Sequence, residues 1–458
     1  MPQRTSFTSR LPEASPEVLI IGAGLSGLSC ARALQAAGLE PGTSVVVLDG
    51  APDIGGRVQT DVHEGFLLDR GFQVFLESYT EPKRLISPQA YAALKLKPFL
   101  PGALSWFNGK FHSVHDPRRM PWMALSTLMS PVGGFADKWR VLRDAPDWQA
   151  CAPKDGIAPP FNEDDVPPGA SSTKRVNPWR PMHSLFDAYS EAMRTRFWQP
   201  FLGGIMLDAG LSGPAWFAAY TLQMMQRGRV CLPEAGIAQI PQAIAAPLPP
   251  NAIVLGAGVA SLDPALKQVT LTTGQTLQAT RAIVLATSWQ ERARLFPLNH
   301  EAPSFNATTC FYFAASAAPL DEPVLVLNGS GQGVINSLCV PSLISSQYAP
   351  SGQTLISVSV IGQPEGRALG DLEQQVRTEL AGWFGSQVKG WQALRHYRIP
   401  YALPRMNPDY ATGEARFLLA PGLFACGDYM ASPSMQGALA SGRLCAKAVL
   451  RALGKSPV

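Results

Sequence analysis

Several features that would place a chain quickly are missing from this one. It has no uninterrupted run of about 18 apolar residues, so nothing in it reads as a membrane-spanning helix. It has no C-x-x-C pair, and its seven cysteines (30, 151, 231, 310, 339, 426 and 445) are scattered and odd in number. That pattern argues against a disulfide framework or a zinc centre, and for a reducing compartment. The six histidines show no ligand spacing, so no metal is expected. Charged residues make up only 16% of the chain, and a net charge of +4 is too small to imply nucleic acid. The opening MPQRTSFTSRLPEASP has no apolar centre and is not a secretory signal. Residues 1–15 are therefore expected to be a frayed leader, and the protein to be cytoplasmic.

What is present points to a large, ordinary globular protein. At 458 residues and 46% hydrophobic content the chain exceeds a single core, and two interleaved domains are the default. Near its start stands VLIIGAGLSGLSCARAL, residues 18–34. Four apolar residues form a buried-strand pattern, Gly22, Gly24 and Gly27 keep G-x-G-x-x-G spacing, and an Ala/Leu-rich helix follows. Glycines at this spacing permit a tight turn and bring backbone N–H groups to a pyrophosphate at a helix N-terminus. By itself the loop does not separate NAD from FAD. A second apolar strand, VVVLD at 45–49, ends in Asp49, 22 positions past Gly27, where an acid can accept both ribose hydroxyls. The bland alternative is a solvated turn aspartate before Gly50. Next comes IGGR, in which Gly55 and Gly56 allow close approach and Arg57 brings a cation suited to a pyrophosphate or flavin edge.

Further along, RRMPWMALSTLMSPVGGFADKWRVLR at 118–143 has basic ends and an apolar middle. It reads first as a buried helical hairpin with a Pro-Val-Gly-Gly turn, and second as an interfacial pair touching a bilayer surface. Residues 152–181, rich in Pro, Gly, Ser and charge, read as a flexible insertion. Helical pattern resumes at HSLFDAYSEAMRTRF and WFAAYTLQMMQRG. Strand patterns follow from 251 to 289, near 308–316 and at 354–361, with an amphipathic helix over 371–385. Strands recurring near 282 and 423 suggest one nucleotide domain built from separated segments around an inserted substrate domain.

GAGLSGL…VVVLD…IGGRVQT and the closing GLFACGDYMASPSMQGALASGRLCAKAVL (422–450) together resemble the flavin-containing amine oxidase superfamily. FWQPFLGGI (197–205) and LPEAGIAQIPQAIA (232–245) resemble its protoporphyrinogen oxidase and carotenoid desaturase branch. The resemblance implies an α/β fold: a Rossmann-like FAD domain from 16–82, 230–302 and 405–458, with an α+β substrate domain from 83–229 and 303–404. It implies non-covalent FAD, with Cys426 facing packing rather than the ring. It places Met435 and Gln436 at the flavin pyrimidine edge, Asp428 on the ribityl chain, Val259 at the adenine, and Gly71, Phe72 and Gln73 beside the isoalloxazine. Leu25 and Ser26 in the first loop, Ala286, Gly427 and Ala438 complete the expected cofactor set.

On the substrate side Tyr401 roughly matches one wall of the amine oxidases' aromatic cage, but the position of the other wall holds Ser434. This departure weighs against simple amine oxidation. His396, Arg398 and Arg405 are candidates for orienting a polar substrate group. The expectation is an FAD-dependent oxidoreductase that takes a hydride from a C–C or C–N bond of a fairly apolar, small to medium substrate and passes electrons to oxygen or a quinone-like acceptor. The alternatives are an amine or amino-acid oxidase releasing peroxide, and a flavin-bearing binding protein without turnover.

Overall fold

The computed structural model describes residues 7–116, 118–141, 143, 153, 157, 177–297, 303–363, 368–406 and 414–456. Most of the expected insertion at 152–181 lies outside them. Apolar runs such as Val18–Ile21, Val45–Asp49 and Ala282–Leu285 carry no polar alternation, which fits strands covered on both faces. They form a parallel sheet. Val18–Ile21 is flanked by Val45–Asp49 and Ala282–Leu285, with Ile253–Leu255 beyond the first neighbour and Leu423–Ala425 beyond the second. A short antiparallel strand, Leu418–Ala420, closes one edge. The first helix, Leu25–Ala36, and the closing helix, Met435–Ala452, pack together over this sheet, joined where Ser29 Oγ donates to the Leu439 carbonyl at 2.7 Å. This half of the molecule is thus assembled from segments far apart in the chain.

The second large sheet has seven strands in the order Gln392–Pro404, Phe305–Ala315, Thr354–Ile361, Ile335–Cys339, Leu325–Asn328, Gly102–Phe107 and Lys110–His115. All neighbours are antiparallel except Leu325–Asn328 beside Gly102–Phe107. Its two faces read out the period of two along Phe305–Ala315. Phe311 and Phe313 meet the helix Leu369–Phe384 through Leu372, Val376 and Leu380. Cys310, Tyr312 and Ala314 meet Phe66 and Leu68 of the hairpin Thr60–Asp69, which follows the second strand of the parallel sheet. The apolar faces of one sheet are thereby shared between a helix and the other half of the molecule.

Two expectations change. Residues 7–15 are not a free arm: Thr8 forms a parallel bridge with Val254, Leu255 N–H donates to its carbonyl at 3.0 Å, and Phe7 and Leu11 pack on the core. An unpaired strand edge offers free backbone groups, and this segment takes them up. The stretch 118–143 does contain helical turns at Pro121–Met129 and at 135–141, but it is not buried as a hairpin: Met120 and Val132 are buried, whereas Trp122, Leu125, Leu128, Met129, Phe135 and Trp139 are exposed.

Candidate functional site

Three backbone loops meet at the C-terminal ends of the parallel strands. The first leaves Val18–Ile21 and enters the first helix. Gly22 sits at φ +112°, and a Cβ there would lie 2.6 Å from the Ala286 carbonyl oxygen. At Gly27 a Cβ would lie 1.9 Å from the Gly22 oxygen, so the turn itself demands both glycines. Gly24 is different: a Cβ there meets nothing within 4 Å. It is the N-cap of the first helix, no side chain caps that terminus, and the first turn holds no acid. An uncapped helix N-terminus beside open space is suited to an anion. Leu25 and Ser26 are buried in that first turn.

Asp49 ends the neighbouring strand. Its Oδ2 accepts from Ala23 N–H at 2.6 Å and its Oδ1 from Ala51 N–H at 2.8 Å. The carboxylate therefore fixes the glycine loop, and each oxygen keeps acceptor capacity for a further donor. Ala257 N–H donates to the Asp49 carbonyl at 2.8 Å, bringing the Val259 segment alongside, and Val259's own carbonyl accepts from Arg294 at 2.6 Å. Ala286 N–H donates to the Ile21 carbonyl at 2.8 Å, at the foot of the same loop.

The second loop lies directly against the first. Gly55 N–H donates to the Ala23 carbonyl at 2.9 Å, and a Cβ on Gly56 would stand 3.4 Å from Gly24 Cα. Arg57 then connects three parts of the chain. Its Nη2 donates to Asp428 Oδ1 and its Nη1 to the Ala402 carbonyl, both at 2.7 Å. The Asp428 side chain is almost wholly buried, whereas Arg57 is half-exposed. Gln73 Nε2 donates to the carbonyls of Arg57 and Arg70 at 3.0 Å. Gly71 sits at φ +82°, a conformation that strains any side chain, and Ile399 Cδ1 would stand 2.7 Å from a Cβ there. Phe72 packs edge-on against Phe99.

In the closing motif Gly427 N–H donates to Ser441 Oγ at 2.9 Å. Ser434 is the N-cap of the closing helix and accepts from Gly437 N–H at 3.0 Å, so the residue in the cage-wall position is occupied as a cap. The Gln436 side chain is buried and pinned: its Oε1 accepts from Glu81 N–H at 3.0 Å and its Nε2 donates to Thr80 Oγ1 at 2.9 Å. Only its main chain is available to a cofactor. Met435 and Ala438 flank it in the first turn, partly buried and buried respectively. The Cys426 thiol faces inward to Cys445, which in turn meets Cys30, and burial pushes the Cys445 thiol well above its usual range.

Not every expected residue joins this group. Tyr397 and Ile399 face the hairpin: Tyr397 donates to Asp61 Oδ2 at 2.7 Å, and Ile399 abuts Gly71. His396 and Arg398 alternate with them and occupy the other face of the sheet, where His396 lies against Phe311. The structure therefore separates these two from the glycine loops. Tyr401 is half-exposed and meets Phe305 edge-on at 5.5 Å. Arg405 donates to Asn306 Oδ1 at 2.6 Å, and Asn306 donates to the Met206 carbonyl.

Reading the sequence missed Asp69. This carboxylate is buried between the two halves of the molecule. Its Oδ1 accepts from Thr60 Oγ1 (2.6 Å) and Ile237 N–H (3.0 Å), and its Oδ2 from the Tyr348 hydroxyl (2.9 Å). Tyr312 donates to its carbonyl at 2.8 Å. Burial raises the Asp69 carboxyl to about 6, opposed by the hydrogen bonds from Thr60, Ile237 and Tyr348. In sequence it is one more acid at the foot of an alternating hairpin, with nothing to mark it as buried.

Two adjoining glycine loops, an uncapped helix start, a strand-end carboxylate and a second helix start now stand in one place, in the order expected of a flavin enzyme. A family model described as flavin-containing amine oxidoreductase matches residues 25–450. The chain belongs to that family. Among curated relatives, polyamine oxidase 2 of Arabidopsis thaliana is 45% identical over 66 residues, 14% of this chain and 13% of that protein. The matched stretch thus spans well under two thirds of that relative's length. Solved structures share the fold across nearly the whole chain. A protein assigned as a protoporphyrinogen oxidase, from an Exiguobacterium species, is 15% identical with a TM-score of 0.69, covering 96% of this chain and all of that one. Cyclohexylamine oxidase from Brevibacterium oxydans is 16% identical with a TM-score of 0.66, again covering 96% and 100%.

Proposed function

We propose that the protein is an FAD-dependent oxidoreductase that accepts a hydride from a C–C or C–N bond of a fairly apolar, small to medium substrate and passes the electrons to oxygen or a quinone-like acceptor. The observation that carries this is the Gly24–Gly56–Arg57–Asp428 junction, where open backbone, a cation and a buried carboxylate meet beneath two helix N-termini. The flavin, when bound, supplies the two-electron acceptor. The chain supplies the rest. Leu25, Ser26 and Gly27 at the first helix start, with Gly55, Gly56 and Arg57, would hold the diphosphate, and Asp49 the ribose hydroxyls. Asp428 would take the ribityl chain and the Val259 main chain the adenine. Met435 and Gln436 would set the positive end of the closing helix against the ring edge on which negative charge builds up. The absence of a second cage aromatic at Ser434, and the apolar neighbours Ile399 and Phe305, favour a C–C or hindered C–N bond over a simple amine. A buried Cys426 turned toward Cys445 supports a non-covalent flavin. The six described cysteines, all free and buried, support a reducing, cytoplasmic setting.

Purified protein should show a flavin absorbance band, and acid precipitation should release the colour into the supernatant. Folded protein that takes up no FAD would end this reading, and yellow colour held in the pellet would end the non-covalent part of it. Anaerobic reduction by a panel of candidate substrates, with peroxide release from amines measured in parallel, separates the proposed activity from an amine oxidase. It also separates it from a flavoprotein without turnover, which no substrate would reduce.

A further inference from the structure

Ten large apolar side chains are exposed among the described residues, and six of them lie within 18 positions: Trp122, Leu125, Leu128, Met129, Phe135 and Trp139. Their exposures, from 45% to 77%, are far from those of core residues. The helix Ala124–Met129 and the turn before it hold their large apolar side chains Trp122, Leu125, Leu128 and Met129 toward solvent. Thr127 turns inward, where its Oγ1 accepts from His115 N–H at 3.0 Å, while the neighbouring Ser126 is exposed. Trp122, Leu125 and Met129 share the outer stripe at spacings of three and four, and Phe135 and Trp139 are likewise four apart in the second helical stretch. A concentration of this kind marks an interaction surface.

The charge of the same stretch selects the occupant. Residues 118–143 contain five basic side chains (Arg118, Arg119, Lys138, Arg140 and Arg143) and one acid, Asp137. Five minus one is +4, equal to the formal net charge of the whole chain, so the remaining residues sum to zero. Asp116 neutralises Arg118. Three other cations are anchored by carbonyls, with Asp137, the one acid of the stretch, beside Lys138 and Arg140. Arg119 donates to Met225, Gln226 and Gly228, Lys138 to Leu128 and Ser130, and Arg140 to Ala188. Tryptophans beside an apolar stripe, ringed by fixed positive charge, match the boundary between acyl chains and anionic headgroups. No helix among the described residues is long and apolar enough to cross a membrane. We propose that this face docks the protein peripherally onto an anionic lipid bilayer.

The proposal is independent of the flavin reading, and its test keeps the two apart. Full-length protein is floated with phosphatidylcholine vesicles with and without phosphatidylglycerol, and its bound FAD and melting temperature are measured alongside. Binding is expected only with the anionic lipid and should weaken as salt is added. A Leu125→Ser/Met129→Ser variant, altered only at exposed positions, should bind about tenfold more weakly or worse, with unchanged melting temperature and flavin content. An environment-sensitive probe on Leu125→Cys should report a polar setting in buffer and an apolar one with anionic vesicles. Failure to float with either lipid, or a variant that floats as well as the parent, overturns the proposal. So does a probe already in an apolar setting without lipid, which would assign the face to a second copy or to another segment of the chain.

Discussion

Asp69 is the residue at which ionisation and architecture are most tightly joined. Its carboxyl is raised from 3.8 to about 6 by burial, so the folded state holds its proton more tightly than the unfolded chain does. Between these values stability falls as pH rises, because the folded state must give up a proton that the unfolded chain has already lost. The contribution is complete below about 3.8 and lost above about 6. Asp69→Asn removes this titration while keeping an acceptor for Thr60 or Ile237. The difference in unfolding free energy between parent and variant, followed by denaturant titration, should change by roughly 3 kcal/mol across that window and be flat outside it. A difference that does not vary with pH would show that the carboxyl titrates elsewhere. Asp49 and Asp428 belong to the same scale. Asp49→Ala and Asp428→Ala are each expected to weaken FAD retention about tenfold or more, the cost of a lost charged hydrogen-bond partner, as read by flavin occupancy after dialysis. Full occupancy in both variants would remove these residues from the cofactor site.

Among elements, the contact between the first and closing helices separates two roles that glycine plays. At Gly442 a Cβ would lie 2.1 Å from the Ser26 carbonyl oxygen and 2.9 Å from Ser29 Cβ, so Gly442→Ala should cost about 1–3 kcal/mol of stability and lower the melting temperature. Gly24 already has an ordinary φ of −72° and open space where a Cβ would go. Compared as flavin-free proteins, Gly24→Ala should therefore melt as the parent does, yet take up less flavin, because in the proposed site the added methyl fills space the diphosphate would need. Equal melting and equal flavin content in Gly24→Ala would mean that the loop holds no cofactor. Local pattern made the helix Leu369–Phe384 and the strand Thr354–Ile361 legible, since both keep their hydrophobic period from end to end. The hairpin Gly102–His115 escaped, although Asn108-Gly109, with φ of 51° and 71°, is a strong turn signal for two strands. Its strands are absent from the expected ones, because a local richness in Leu, Trp and Phe hides the alternation of Gly102–Phe107. The outward apolar stripe at 122–139 was legible as a stripe but not in its direction, because period alone does not say which side faces the core.

For the whole molecule, the order of the motifs carried more than any single one. The expectation that strands near 282 and 423 continue the first sheet holds in the pairing of Val18–Ile21 with Ala282–Leu285, and of the latter with Leu423–Ala425. What sequence could not supply was sidedness. His396 and Arg398 carry suggestive chemistry, but the register of their strand against Phe305–Ala315 turns them away from the glycine loops. Register is a long-range property, set by contacts that no local window contains.

The separated segments also impose an order of completion. A ribosome delivers the glycine loop within the first thirty residues, and three central strands can pair once Leu285 has emerged. The first helix, however, is covered by Leu439, Gly442 and their neighbours, and the strand Leu423–Ala425, which pairs with Ala282–Leu285, comes just before them. Until nearly the whole chain is made, an apolar helix flank and an open strand edge remain uncovered in the nascent protein. The part of the proposed cofactor cradle synthesised first is thus the last to be closed, and premature termination between Leu285 and the closing helix should yield a sticky fragment rather than a partial enzyme.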